Sequence, residues 1–159
     1  MTIITSTKTV NAAFFREIKE VHQALWAQLD RLRGYAAAPI VPDEQMPSVI
    51  REVCDLQDML AMHFALEEAF GYFDDPVSVA PHLSERANRL LSEHGELYLE
   101  IMNVADLGLR ISSGQNISHE QIRKLMRRFV EFDEHFMRHE HAENELIMEA
   151  FGEDLGTGD

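Results

Sequence analysis

Apolar residues recur three and four apart through most of this chain, and the runs that carry the rhythm are separated by short stretches rich in Pro, Gly, Ser and Asp. The pattern predicts four helices. The first covers roughly 9–33, with Phe14, Ile18, His22, Leu25, Leu29 and Leu32 on one face and Gly34 as its stop. After A-A-A-P-I-V-P-D a second covers roughly 45–73 and ends before Asp74-Asp75-Pro76. Pro81 and Ser84 open a third, over roughly 82–111, which carries Leu90, Leu91, His94, Leu97, Tyr98 and Ile101. The stretch S-S-G-Q-N-I-S-H-E-Q reads as a turn followed by a capping box at Ser118 and Gln121. It starts a fourth helix over roughly 119–151, and E-D-L-G-T-G-D is expected to fray. No segment alternates with period two for long enough to make a strand. The expected fold is therefore all-α, an antiparallel up-down-up-down four-helix bundle in a single domain over 1–159.

Composition narrows the function classes. At 159 residues with 45% hydrophobic and 26% charged, the chain can bury one core, and no apolar run approaches the ~20 residues of a membrane span. The N-terminus lacks the basic segment, apolar stretch and cleavage site of an exported protein, which makes a cytoplasmic location the expectation. The single cysteine, Cys54, has no partner for an internal disulfide or a thiolate zinc site and reads as a small buried hydrophobe. A formal charge of -14 argues against nucleic acid and anionic membranes as partners. Arg123, Lys124, Arg127 and Arg128 do cluster, but beside Glu120 and Glu131, as on a solvated helix face.

The chemistry lies in two four-residue spacings. His63 and Glu67 sit in M-H-F-A-L-E-E-A-F, and His139 and Glu143 in H-E-H-A-E-N-E-L. Residues four apart on a helix differ by about 40° around its axis, so each pair offers two ligands to one side. His63 shares its face with Met59, Leu66 and Phe70, and His139 shares its face with Phe132, Phe136 and Leu146, so both pairs point inward. A buried carboxylate needs a cation, a buried arginine or a proton, and no arginine or lysine shares either inward face. His22 and His94 are the inward histidines of the other two helices. At ~1.5 Å per residue, the distances of all four from their helix ends agree to within one or two turns. Four imidazoles and two carboxylates at one level are the ligand supply for two iron-like ions bridged by carboxylates. A lone inward histidine, or a lone pair of this spacing, is more often structural. His141 and Glu145 show this, with the same spacing about 200° round from His139, on the wet side. His82 and His119 read as surface residues.

His135 lies one turn before His139 and admits three readings: a fifth imidazole, a hydrogen-bond partner behind a ligand, or a half-exposed bystander. Ligating imidazoles normally donate their other N–H to a carboxylate or carbonyl, and Asp58, Glu93 and Glu140 are the candidates.

Taken together, F-F-R-E-I-K-E-V-H-Q-A-L, M-H-F-A-L-E-E-A-F, S-E-H-G-E-L and H-E-H-A-E-N-E-L resemble the hemerythrin-like family, the H-H-E cation-binding domain, over nearly the whole chain. The last string also resembles the corresponding helix of bacterial di-iron repair proteins. The resemblance implies a non-haem di-iron centre, oxo- or hydroxo-bridged, with Glu67 and Glu143 as bridging carboxylates and His22, His63, His94 and His139 as terminal ligands. Manganese is the alternative metal. Ferritin-type proteins carry Glu-x-x-His, and no histidine here has a glutamate three residues before it. Where oxygen-carrying relatives have a second histidine on the third helix, this chain has Tyr98. Where they have an aspartate five after the last-helix histidine, it has Asn144, with Glu143 one position earlier. Tyr98 then reads as a phenolate ligand, a hydrogen-bond donor to a bound oxidant, or core. Reversible oxygen carriage is put in question by the same departures.

The expected function is binding of O2, nitric oxide or a related small oxidant for sensing, protection or iron handling, with Met59, Met62, Phe70, Met102 and Phe136 as cavity or core residues. The alternatives are a di-iron enzyme that decomposes peroxide or reduces nitric oxide, and an apo helical interaction module. The expected partner is a small diatomic or peroxide ligand, and the expected assembly is a monomer or homodimer.

Overall fold

The computed structural model describes residues 22–69, 77 and 80–157, apart from the side chains of 151 and 153–157. Every regular element among them is helical. Helix α1 covers 22–37, α2 Met46–Ala69, α3 Ser84–Ser112 and α4 His119–Thr157, and short 3-10 turns at Asp43–Gln45 and Pro81–Leu83 lead into α2 and α3. The expected beginning of the first helix, with Phe14 and Ile18, and the expected end of the second, with Phe70 and Phe73, lie outside the described residues.

Local chemistry explains two of the boundaries. The capping box forms reciprocally at the start of α4. The Gln121 N–H donates to Ser118 Oγ at 3.1 Å, and the Ser118 N–H donates to Gln121 Oε1 at 3.0 Å. Gly34 does not stop α1 as the sequence suggested. The Ala38 N–H donates to the Gly34 carbonyl at 3.1 Å, and Tyr35 and Ala36 pack against the core. One more packed turn outweighs the ~1 kcal/mol that glycine costs inside a helix, and the ladder ends just before Pro39. At the other end, α4 continues helical to Thr157 where fraying was expected after 151.

Packing follows the predicted faces. Leu25, Leu29 and Leu32 of α1 are fully buried together with Val53, Leu56 and Leu60 of α2, Leu97 and Ile101 of α3, and Phe129, Phe132 and Phe136 of α4. Gly108 permits close approach of α2 and α3, because a Cβ there would stand 3.3 Å from Ile50 Cγ2. Of the adjacent Leu90 and Leu91 on α3, Leu90 is buried and Leu91 is 39% exposed. Cys54 is half-buried against the core, and burial, followed by Asp55, Asp58 and Asp106, pushes its thiol pKa up, as suits an inert packing residue.

Polar ties join the helices. Gln28 donates to the Glu52 carbonyl at 2.8 Å, and Gln57 to the Tyr98 hydroxyl at 3.2 Å. Arg33 grips Asp133 with two bonds of 2.7 Å, and Arg86 pairs with Glu149.

The core is interrupted at one level. The large apolar cluster reaches Phe64, Leu97 and Phe136, and a second, smaller one gathers Leu83, Ala87, Leu90, Leu146 and Ala150. On α3, His94 lies between Leu90 and Leu97; on α4, His139 and Glu143 lie between Phe136 and Leu146. A buried polar layer therefore separates two apolar ones. Among the described residues, no helix is long and apolar enough to cross a membrane.

Candidate metal centre

The polar layer is built from all four helices. His63, Glu67, His94, His139, Glu140 and Glu143 are each at most 6% exposed, and His22 of α1 is half-buried. The four-residue spacing acts as expected on α2 and α4: His63 Nε2 stands 2.9 Å from Glu67 Oε1, and His139 Nε2 stands 2.7 Å from Glu143 Oε1. Across the bundle, His94 Nε2 is 3.3 Å from Glu67 Oε2 and 3.2 Å from Glu143 Oε1. Glu67 thus turns one oxygen to α2's own histidine and the other to the histidine of α3. The His22 and His63 rings lie 5.1 Å apart, and those of His94 and His139 lie 5.0 Å apart.

Three sets of donor atoms come within 4.8 Å of one another: His22, His63 and Glu140; His94, His139 and Glu143; and Glu67, Glu140 and Glu143. These buried groups could hold a metal ion. Their hydrogen bonding fits that use. Among the described residues, five buried side-chain N or O atoms have no hydrogen-bond partner, and four of them, His22 Nδ1, Glu67 Oε2, His139 Nε2 and Glu143 Oε2, belong to this cluster. His139 Nε2 is 2.7 Å from Glu143 yet unaligned for a hydrogen bond. Atoms that crowd together without bonding to each other suit a common cation.

The outer ring nitrogens are fixed by carboxylates nearer the surface. His139 donates from Nδ1 to Glu93 at 2.7 Å, and His94 from Nδ1 to Glu68 at 3.0 Å. Each bond leaves Nε2 as the nitrogen facing inward, the usual device for orienting a ligating imidazole. Glu93 was anticipated from the sequence. Glu68 was not, since nothing distinguishes it there from an exposed helix residue. Asp58, also considered, is exposed. Glu140 is inside the cluster, 3.2 Å from His63 Nε2.

Without a cation, protons compensate the carboxylates. Burial opposes charge on His63, but Glu140 and Glu67 outweigh it and push its pKa up to about 10. Burial likewise opposes charge on His94, and Glu143, Glu67 and Glu68 push it up to about 10. Burial would raise the Glu67 pKa, yet His63 and His94 hold it at about 2. Glu140 is raised, chiefly by burial, with Glu143 and Glu67 adding like charge. His22 is lowered by burial and by the neighbouring His63. Among the described residues, the ion pairs of Glu67, Glu140 and Glu143 are all with histidines, and no lysine or arginine takes part.

Aromatic side chains wall the layer: the Phe64 ring stacks on His94 with centroids 4.0 Å apart, and Phe136 lies 6.3 Å from His63. Met62, considered as a cavity residue, is 55% exposed and points elsewhere. His135 donates from Nδ1 to Glu100 at 2.7 Å and lines an open groove between α3 and α4. Tyr98 is half-buried with its hydroxyl engaged by Gln57. His141 and Glu145 pair at 3.2 Å on the exposed face, 76% and 60% accessible, as the wet-side reading required.

No family model matches the chain, and no match was found among curated proteins or solved structures.

Proposed function

We propose that this is a non-haem di-iron protein, a stand-alone domain of the hemerythrin-like kind, that binds O2, nitric oxide or a related small oxidant for sensing, protection or iron handling. In this reading His22 and His63 serve one ion, His94 and His139 the other, and Glu67 and Glu143 bridge them. Manganese fits the same imidazole and carboxylate donors. The observation that carries the reading is Glu67, which reaches His63 with one oxygen and His94 with the other at the centre of a buried cluster with unpartnered donor atoms.

The antiparallel up-down-up-down bundle belongs to the same proposal. Its support is the register of contacts. From Ile50 facing Gly108, through Gln57 with Tyr98, to Glu68 with His94, numbers rise on α2 as they fall on α3. Arg86 with Glu149, Glu93 with His139 and Glu100 with His135 run the same way between α3 and α4, as do Arg33 with Asp133 and Trp26 with Phe136 between α1 and α4.

Bound here, a pair of irons would supply electrons and coordination sites for a small oxidant. The chain's own part is to orient and exclude. Glu93 and Glu68 set the ring tilt of His139 and His94, and Phe64, Leu97 and Phe136 keep bulk water from the layer.

Anaerobic loading with Fe(II), desalting and elemental analysis test the proposal. About two irons per chain is the expected result, and no retained metal overturns it. Titration with O2 and with nitric oxide then distinguishes a binder, which forms a stable coloured adduct, from an enzyme, which consumes excess oxidant.

A further inference from the structure

Glu140 sits where neither the four-residue spacing nor the resemblance puts a ligand. It follows His139 directly, about 100° round the helix, and precedes Glu143 by three residues, about 60° round, so it stands at the edge of the inward face. In the bundle it is nevertheless 6% exposed, and its Oε1 lies 3.2 Å from His63 Nε2.

Which imidazole nitrogen it meets is informative. Glu68 and Glu93 meet the outer nitrogen, Nδ1, of His94 and His139, and both are substantially solvent-exposed, at 50% and 27%. Glu140 meets the inner nitrogen of His63, the one already 2.9 Å from Glu67. A neutral imidazole has one N–H, so Nε2 cannot bond two carboxylates at once and also leave a lone pair for a cation. Glu140 also offers an oxygen within 4.8 Å of donor atoms of His22 and His63 in one set, and of Glu67 and Glu143 in another. These are the positions of a donor to the same ion, not of a support behind the ring.

Resting on the dinuclear reading above, we propose that Glu140 is a third carboxylate ligand, terminal to the ion held by His22 and His63. The cluster then divides into His22, His63 and Glu140 on one side and His94 and His139 on the other, with Glu67 and Glu143 between. Among the described residues, the first ion then has one protein donor more than the second. Three carboxylates also give the site a harder, more anionic donor set than two, favouring iron or manganese over zinc.

The test compares wild type, Glu140→Gln and Glu140→Ala by anaerobic Fe(II) loading, with stoichiometry from elemental analysis and affinity from competition with a chelator. Helix content is checked by circular dichroism. Glutamine keeps a carbonyl oxygen to accept from His63 but is a poor ligand. The expected result is two ions in wild type, one tight ion in Glu140→Ala, and a second ion bound more than about a hundredfold more weakly in Glu140→Gln, beyond the effect of a carboxylate that only supports a ligand. Two ions of wild-type affinity in Glu140→Gln overturn the assignment and leave Glu140 a hydrogen-bond acceptor only. If Glu140→Ala loses helix content, the glutamine variant decides alone. Fewer than two ions in wild type overturns the dinuclear reading and this assignment together.

Discussion

Glu67 and His94, on different helices, meet across the bundle at 3.3 Å, while the other oxygen of Glu67 lies 2.9 Å from His63. One carboxylate therefore links the histidine of its own helix to that of α3. Glu67→Ala removes the group common to both halves of the cluster, and loss of most bound iron is expected, at least a hundredfold in affinity. Elemental analysis of the loaded variant checks this; two retained irons would sink the bridging assignment. Glu143→Ala is expected to behave likewise.

Glu93 holds His139 from behind at 2.7 Å, and Glu68 holds His94 at 3.0 Å. Supports of this kind typically contribute about 10- to 100-fold to metal affinity without setting the number of ions. Glu93→Gln should weaken binding by that order while two ions still bind at saturation. The more exposed Glu68 should matter less. Glu145→Gln, on the wet face, is the control and should change nothing in a chelator competition.

The metal-free protein should lose stability as pH rises from neutrality. His63 and His94 have folded-state pKa values of about 10 against 6.5 unfolded, so the folded state binds their protons more tightly. That contribution is full below about pH 6.5 and is lost as pH rises through about 10. Glu67, lowered from 4.5 to about 2, contributes above pH 4.5 and ceases to as pH falls through about 2. Urea midpoints of chelator-treated protein should fall from about pH 6 to about pH 10. A flat profile would contradict the proton compensation. Metal loading should release protons from these histidines, measurable with a pH indicator in weak buffer.

Phe136 is fully buried and places its ring 5.9 Å from Phe132, 6.2 Å from Trp26 and 6.3 Å from both Phe64 and His63. Phe136→Ala opens a cavity where α1, α2 and α4 meet beneath the polar layer. A loss of about 3–5 kcal/mol in chemical denaturation is expected. A loss under about 1 kcal/mol would mean that the surrounding rings close the gap.

The helices, the capping box at Ser118 and Gln121, and the inward pairs His63 with Glu67 and His139 with Glu143 were legible in the sequence, because each depends on residues within one turn of each other. Backbone geometry fixes such relations wherever the helix is placed. The wet-side position of His141 and Glu145 follows from the same rule. The rest turned on how far each helix is rotated against its neighbours. That rotation brought Glu140 into the cluster from the edge of the His139 and Glu143 face, set Glu68 and Glu93 behind their histidines, and gave His135 to Glu100 at the α3 and α4 surface. It also let Tyr35 and Ala36 pack, carrying α1 past Gly34. A residue at the edge of an apolar face has no preference of its own for core or solvent. Only the side chains brought against it by other helices decide, and those contacts are set by packing the whole bundle rather than by any local spacing.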